Sequence, residues 1–110
     1  MSFASKYNKS SFNFGVDTKG FKSCKVKELK EGEVNTLLGI FVRDGKFGKT
    51  PNFIIDGWVV FGTESMLETV QEILANQEAC EEIKAGKVGI RMRAYENSFG
   101  KQYTIDYVDI

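Results

Sequence analysis

Two short stretches of the chain echo each other: Arg43-Asp44-Gly45-Lys46-Phe47-Gly48-Lys49 and Tyr95-Glu96-Asn97-Ser98-Phe99-Gly100-Lys101. Each has an acid, a flexible pair and then Phe-Gly-Lys. A phenylalanine at a turn tip is poorly placed for a core. Beside a lysine it can stack on a nucleobase while the ammonium meets a phosphate. Such stacking is worth ~1–3 kcal/mol per base and needs no sequence preference. The competing reading is that Phe47 and Phe99 fold back as hydrophobic lids. Around the first stretch the candidate binding residues are Phe41, Arg43, Lys46, Phe47 and Lys49. Around the second they are Arg91, Arg93, Tyr95, Phe99 and Lys101. An ion pair with Glu96 or Asp106 would explain one of the two arginines without a ligand. Trp58, the single tryptophan, is a further stacking platform if it shares a wet strand face with Asn52, Ile54 and Asp56. Core burial is the alternative, should Gly57 bulge.

Catalysis has little to work with. There is no histidine, which removes the commonest general base and the commonest metal ligand. Cys24 and Cys80 lie 56 positions apart, fit no metal spacing and are expected to be reduced thiols of a cytoplasmic protein. Asp56, Asp106 and Asp109 are isolated strand acids, more often solvated than ligating. No nucleophile–base pair can be assembled. The expectation is therefore no enzyme, no metal and no cofactor.

The elements that would position these side chains are mostly strands. Val34–Arg43 and Asn52–Phe61 are rich in β-branched and aromatic residues, and Asp44–Lys49 between them carries the glycines of a hairpin turn. Pro51, the only proline, sits just past that turn, where a missing N–H does least harm. Gly57 inside the second run suggests a bend or bulge that lets a sheet close. Phe21–Leu29 reads as an earlier strand, with Lys22, Lys25 and Lys27 on its open side. Val88, Ile90, Met92 and Ala94 alternate with Lys87, Arg91, Arg93 and Tyr95, giving one apolar and one basic face. Gln102–Ile110 is the last strand, its inward side undetermined between Tyr103, Ile105 and Tyr107 and their neighbours. Before these two strands, Met66, Leu67, Val70, Ile73 and Leu74 fall on one helical face. Thr63 or Ser65 offers a cap for that helix. A break is expected at Asn76, a second short helical turn through Cys80 and Ile83, and a stop at Gly86.

The order is strand, strand, strand, helix, strand, strand. It predicts a mainly β protein, a five-stranded Greek-key barrel of the OB-fold type with a helical insert between strands three and four, a fold that binds oligonucleotides or oligosaccharides. The barrel is expected over residues 21–110. Residues 1–20 are Ser-, Asn-, Lys- and Gly-rich and predict a flexible arm or a short edge strand. The alternative is a basic, aromatic arm that orders on nucleic acid. The 110 residues make one domain, and no run of 18 apolar residues suggests a membrane span.

Net charge is zero, but it is segregated. Residues 63–85 hold six glutamates against Lys84, a balance of −5, so the other 87 residues stand at +5, with 14 Lys/Arg against 9 Asp/Glu. A protein patterned this way can show a basic face while its total is neutral.

The chain resembles the small OB-fold single-stranded-DNA-binding proteins of phages of Gram-positive bacteria. The resemblance covers roughly residues 21–110. It rests on the strand–helix order, on Lys46-Phe47-Gly48-Lys49-Thr50-Pro51-Asn52-Phe53, on Gly86-Lys87-Val88-Gly89 and on Phe99-Gly100-Lys101. It implies single-stranded DNA as ligand, with RNA as an alternative, a role in phage replication or recombination alongside proteins of those pathways, and a place in the host cytoplasm. Cellular single-strand-binding proteins usually end in a disordered tail with an acidic tip. Here Asp106-Tyr107-Val108-Asp109-Ile110 is expected to lie inside the last strand, so recruitment through such a tail is not expected. Exposed barrel strands often pair, which makes a homodimer compatible with the sequence. The contrasting function is a protein–protein or assembly module that docks through its acidic helix.

Overall fold

The computed structural model describes residues 14–46 and 48–110. These form a mixed fold, 48% strand, with two helices and two open sheets. The strands are β1 (Lys22–Lys25), β2 (Val34–Thr36), β3 (Gly39–Gly45), β4 (Gly48–Ile55), β5 (Trp58–Phe61), β6 (Val88–Asn97) and β7 (Gly100–Asp109). The helices are α1 (Leu67–Leu74) and α2 (Gln77–Lys84). The first sheet has the order β1-β5-β4-β3 and the second β2-β6-β7.

Seven strands replace the five expected, and each difference has a local cause. The run Val34–Arg43 is one path that changes sheets. Leu37 N–H donates to Val88 C=O in the second sheet at 2.9 Å, and the next amide, Leu38 N–H, donates to Ile54 C=O in the first at 2.7 Å. Consecutive amides thus serve different sheets, and β2 and β3 are the two halves. The run Asn52–Phe61 is not one bent strand. It folds back on itself at Asp56-Gly57, so that Ile55 faces Trp58 and Phe53 faces Val60. Gly57 takes φ 77°, a left-handed conformation that costs glycine least. The first strand is short because Lys25 N–H donates to the Glu28 carboxylate, and the chain turns through a 3₁₀ segment at Val26–Glu28.

The helical block breaks at Asn76, as expected, and the Asn76 side chain accepts from Ala79 N–H at 3.2 Å, which caps α2. Neither Thr63 nor Ser65 caps the start of the block. Their hydroxyls bond each other at 2.8 Å instead. The alternation in Val88–Tyr95 appears as read: Ile90 and Met92 are buried, and Arg91 and Arg93 are exposed.

The inner faces meet in one core. Ile40, Phe53 and Val60 come from the first sheet, Ile90, Met92 and Ile105 from the second, and Val70 and Ile83 from the helices. Phe53, wholly buried, lies 6.3 Å from Tyr107 between ring centroids. That places Tyr103, Ile105 and Tyr107 on the inner side of the last strand. Burial pushes the Tyr107 hydroxyl up to about 12. The arm expected over residues 1–20 falls largely outside the described residues. Of it, residues 14–20 form no strand. Phe14 lies on Gly39, where a Cβ would come within 3.0 Å of its ring.

Candidate nucleic-acid interface

The two Phe-Gly-Lys stretches occupy equivalent places. Gly45 pairs with Gly48 and Asn97 with Gly100, so two residues separate the strands in each hairpin. The six-residue turns expected from sequence are therefore tighter, and the strands run almost to the tips. In both hairpins the glycine after the phenylalanine carries the positive φ, 120° at Gly48 and 103° at Gly100. Phe99 is 88% exposed, so it is not a lid. Its N–H donates to Asn97 Oδ1 at 2.8 Å, which fixes the turn under it. Phe47 lies outside the described residues. Lys46 and Lys49 are exposed at the first tip and Lys101 at the second.

Below the first tip, Phe41 and Arg43 share the outer face of the first sheet. Phe41 is opposite Asn52, Asn52 opposite Phe61 and Phe61 opposite Lys25, so one row crosses all four strands. Asn52 is fully buried in this row. Its amide donates to Thr50 C=O at 3.0 Å, and its Oδ1 has no partner among the described residues. Arg43, opposite Thr50, is exposed.

On the second hairpin, Arg91, Arg93 and Tyr95 alternate along one face. Asp106 on β7 serves both arginines, with Arg93 Nε donating to Oδ2 at 3.0 Å and Arg91 Nη2 at 3.7 Å from the same oxygen. One acid therefore orients two cations whose side chains remain about half exposed, at 45% and 56%. Exposed pairs of this kind contribute 0–1 kcal/mol, roughly. The Arg93 guanidinium also lies 5.9 Å from the Tyr95 ring, and Lys101 Nζ 5.9 Å from that of Tyr103.

Of the two readings of Trp58, the structure follows the one that turns it toward the core face. Because the chain reverses at Asp56-Gly57, Trp58 pairs with Ile55 and shares the face of Phe53 and Val60. Asn52 and Ile54, its expected face-mates, are buried, and Asp56, expected to mark that face as wet, is exposed at the turn. Trp58 is 39% exposed only because it opens its strand at the turn, with Lys22 Nζ 5.8 Å from the ring. It faces away from Phe41 and Arg43.

The structure adds residues absent from the sequence set. Phe61 and Lys25, at the end of the outer row, also line a cleft of about 500 Å³, together with Lys27, Tyr95, Gln102 and Tyr103. The lysines at 25 and 27 stand out in sequence as basic residues at period two. Phe61 could have been found only by reading Asp56-Gly57 as a turn, which puts it beside Asn52.

Burial, then Glu28, raises the Cys24 thiol, and burial, then Glu81, raises that of Cys80. Thiols so shifted stay protonated and are poor nucleophiles. Cys80 Sγ donates to Ile73 C=O at 3.2 Å and joins the two helices. No group of three His, Cys, Asp or Glu residues converges on a metal-sized site among the described residues. No described helix is long and apolar enough to cross a membrane. Comparison with protein-family models, with curated proteins and with solved structures finds no match to the chain.

Proposed function

We propose that this chain is a sequence-tolerant single-stranded-DNA-binding module on an OB-fold barrel, acting in phage replication or recombination in the host cytoplasm. The observation that carries the reading is the pair of equivalent two-residue hairpins with Phe-Gly-Lys at their tips. An 88% exposed phenylalanine on a turn fixed by Asn97 is a stacking surface already in place. Lys49 and Lys101 follow the two tip glycines, and Arg43, Arg91 and Arg93 continue the positive charge along the strands. The OB assignment is supported by the strand–helix order and by the path of residues 34–45, which joins the two sheets as a strongly bent barrel strand would. The helix glutamates, among them Glu68, Glu72, Glu78, Glu81 and Glu82, are exposed. In this reading that face is turned away from the polyanion.

The same glutamate face favours the second reading, a docking module for a basic protein partner. Fluorescence anisotropy with labelled single-stranded and duplex DNA of equal length separates the two. Single-strand binding of homopolymers at least tenfold tighter than duplex supports the proposal. No binding to either removes it and leaves the docking module.

A further inference from the structure

The cleft between the two sheets has the walls of a nucleotide site. Tyr95, its cross-strand neighbour Gln102, Tyr103 on the other face of the same hairpin, and Phe61 at the end of the outer row all line it. Lys25 and Lys27 are two basic residues of the lining, against one acid, Glu64. A further cation lies 5.9 Å from each tyrosine ring, Arg93 at Tyr95 and Lys101 at Tyr103. Thr63 and Ser65, whose hydroxyls bond each other, and Gln102 are the uncharged polar side chains of the lining. Its volume, about 500 Å³, falls within the range of small-molecule sites, roughly 300–1,000 Å³. Aromatic walls, an amide that both donates and accepts, and a net positive rim match a guest that is planar, edge-polar and anionic. A nucleoside monophosphate unit has all three properties.

We propose that this cleft takes one nucleotide of the bound strand out of the stack and holds it, the base against an aromatic side chain of the lining, its edge at Gln102, and its phosphate at Lys25 and Lys27. The inference rests on the single-strand reading, because Phe61 and Lys25 belong to both the cleft and the row that runs from Phe41 through Asn52. The tips then supply sequence-tolerant stacking, and the cleft supplies one anchored position.

The test uses the full chain labelled with ¹⁵N and titrated with 5′-dTMP, thymidine and inorganic phosphate, beside anisotropy of labelled oligo-dT. Expected is a dTMP half-saturation on the order of millimolar, as suits a single nucleotide, with shifts confined to the amides of residues 25–27, 61–65, 95 and 102–103. Thymidine should give weaker shifts and phosphate none at Tyr95 or Gln102. The exposed double substitution Lys25→Ala/Lys27→Ala should lower dTMP affinity at least fivefold, and Gln102→Ala should do so while leaving phosphate behaviour unchanged. If oligo-dT binds but dTMP leaves the cleft amides unmoved, the cleft proposal falls and the single-strand reading stands. If phosphate alone reproduces the dTMP shifts, the site holds an anion and not a nucleotide. If oligo-dT does not bind at all, the single-strand reading fails and the cleft proposal with it.

Discussion

Replacing Phe99 with alanine separates stacking from folding more cleanly than any other substitution in this molecule. The ring is 88% exposed, so its removal opens no cavity and forfeits almost no burial. The turn beneath it is fixed by the Phe99 N–H to Asn97 Oδ1 bond and by the positive φ of Gly100, and alanine keeps both. Stability should therefore change by no more than about 0.5 kcal/mol, the usual limit for surface sites. If the ring stacks on a base, affinity falls by the stacking contribution, ~1–3 kcal/mol. That is a loss of roughly 5- to 150-fold in Kd. The assay is anisotropy of labelled oligo-dT at fixed low salt, beside a thermal melt of the same samples. Phe99→Leu should recover little, because leucine has bulk but no π-face. An unchanged Tm with Kd within twofold of wild type would refute the stacking role. A large fall in Tm would show that the ring supports the fold, against its exposure.

Other outcomes follow from the same geometry. Asp106→Asn removes the acid shared by Arg91 and Arg93; oligo-dT affinity should rise and the salt slope steepen by up to about 0.7 per additional phosphate engaged, with a stability change under about 1 kcal/mol by urea melting. Trp58→Ala should leave oligo-dT affinity within twofold, since the indole faces away from Phe41 and Arg43, and should cost less than the ~3–5 kcal/mol of a fully buried aromatic; a tenfold loss of affinity would return Trp58 to the interface. Tyr107, pushed up to about 12 by burial, keeps its proton when folded at pH values where an unfolded tyrosine, near 10, has lost it. Its contribution to stability is therefore full below about pH 10 and declines towards pH 12. Urea melts between pH 9 and 11 should show that decline, and Tyr107→Phe should flatten it.

Much of the architecture could be read from residue order, and what could not be read has physical reasons. Ile90, Met92 and Ala94 against Arg91, Arg93 and Tyr95 declared a strand with one face in the core, because one wet face forces alternation. Asn76 announced the break between the helices because its side chain can cap the second. The run Asn52–Phe61 carried no such signal. Phe53, Ile54 and Ile55 are all buried, since the first sheet is covered on both faces near Gly39, where Phe14 lies. A strand buried on both sides loses its period, so the reversal at Asp56-Gly57 read as a bend or bulge, and the face of Trp58 could not be fixed. At the tips the repeated Phe-Gly-Lys was enough to find Phe99 and Lys101. The cleft was beyond sequence reasoning altogether. It draws Lys25 and Lys27, Phe61, and Tyr95 with Gln102 and Tyr103 from three separated segments, and only the pairing of strands brings them together.

The most direct test of the central claim is the salt dependence of oligo-dT binding. Each phosphate neutralised on a single strand contributes about −0.7 to the slope of log K against log salt. With cations at both tips and on both outer faces, a linear fall with a slope steeper than about −2, equivalent to three or more phosphates, is expected, and duplex of equal length should bind more weakly throughout. A flat salt response, or equal affinity for single strand and duplex, would contradict the account.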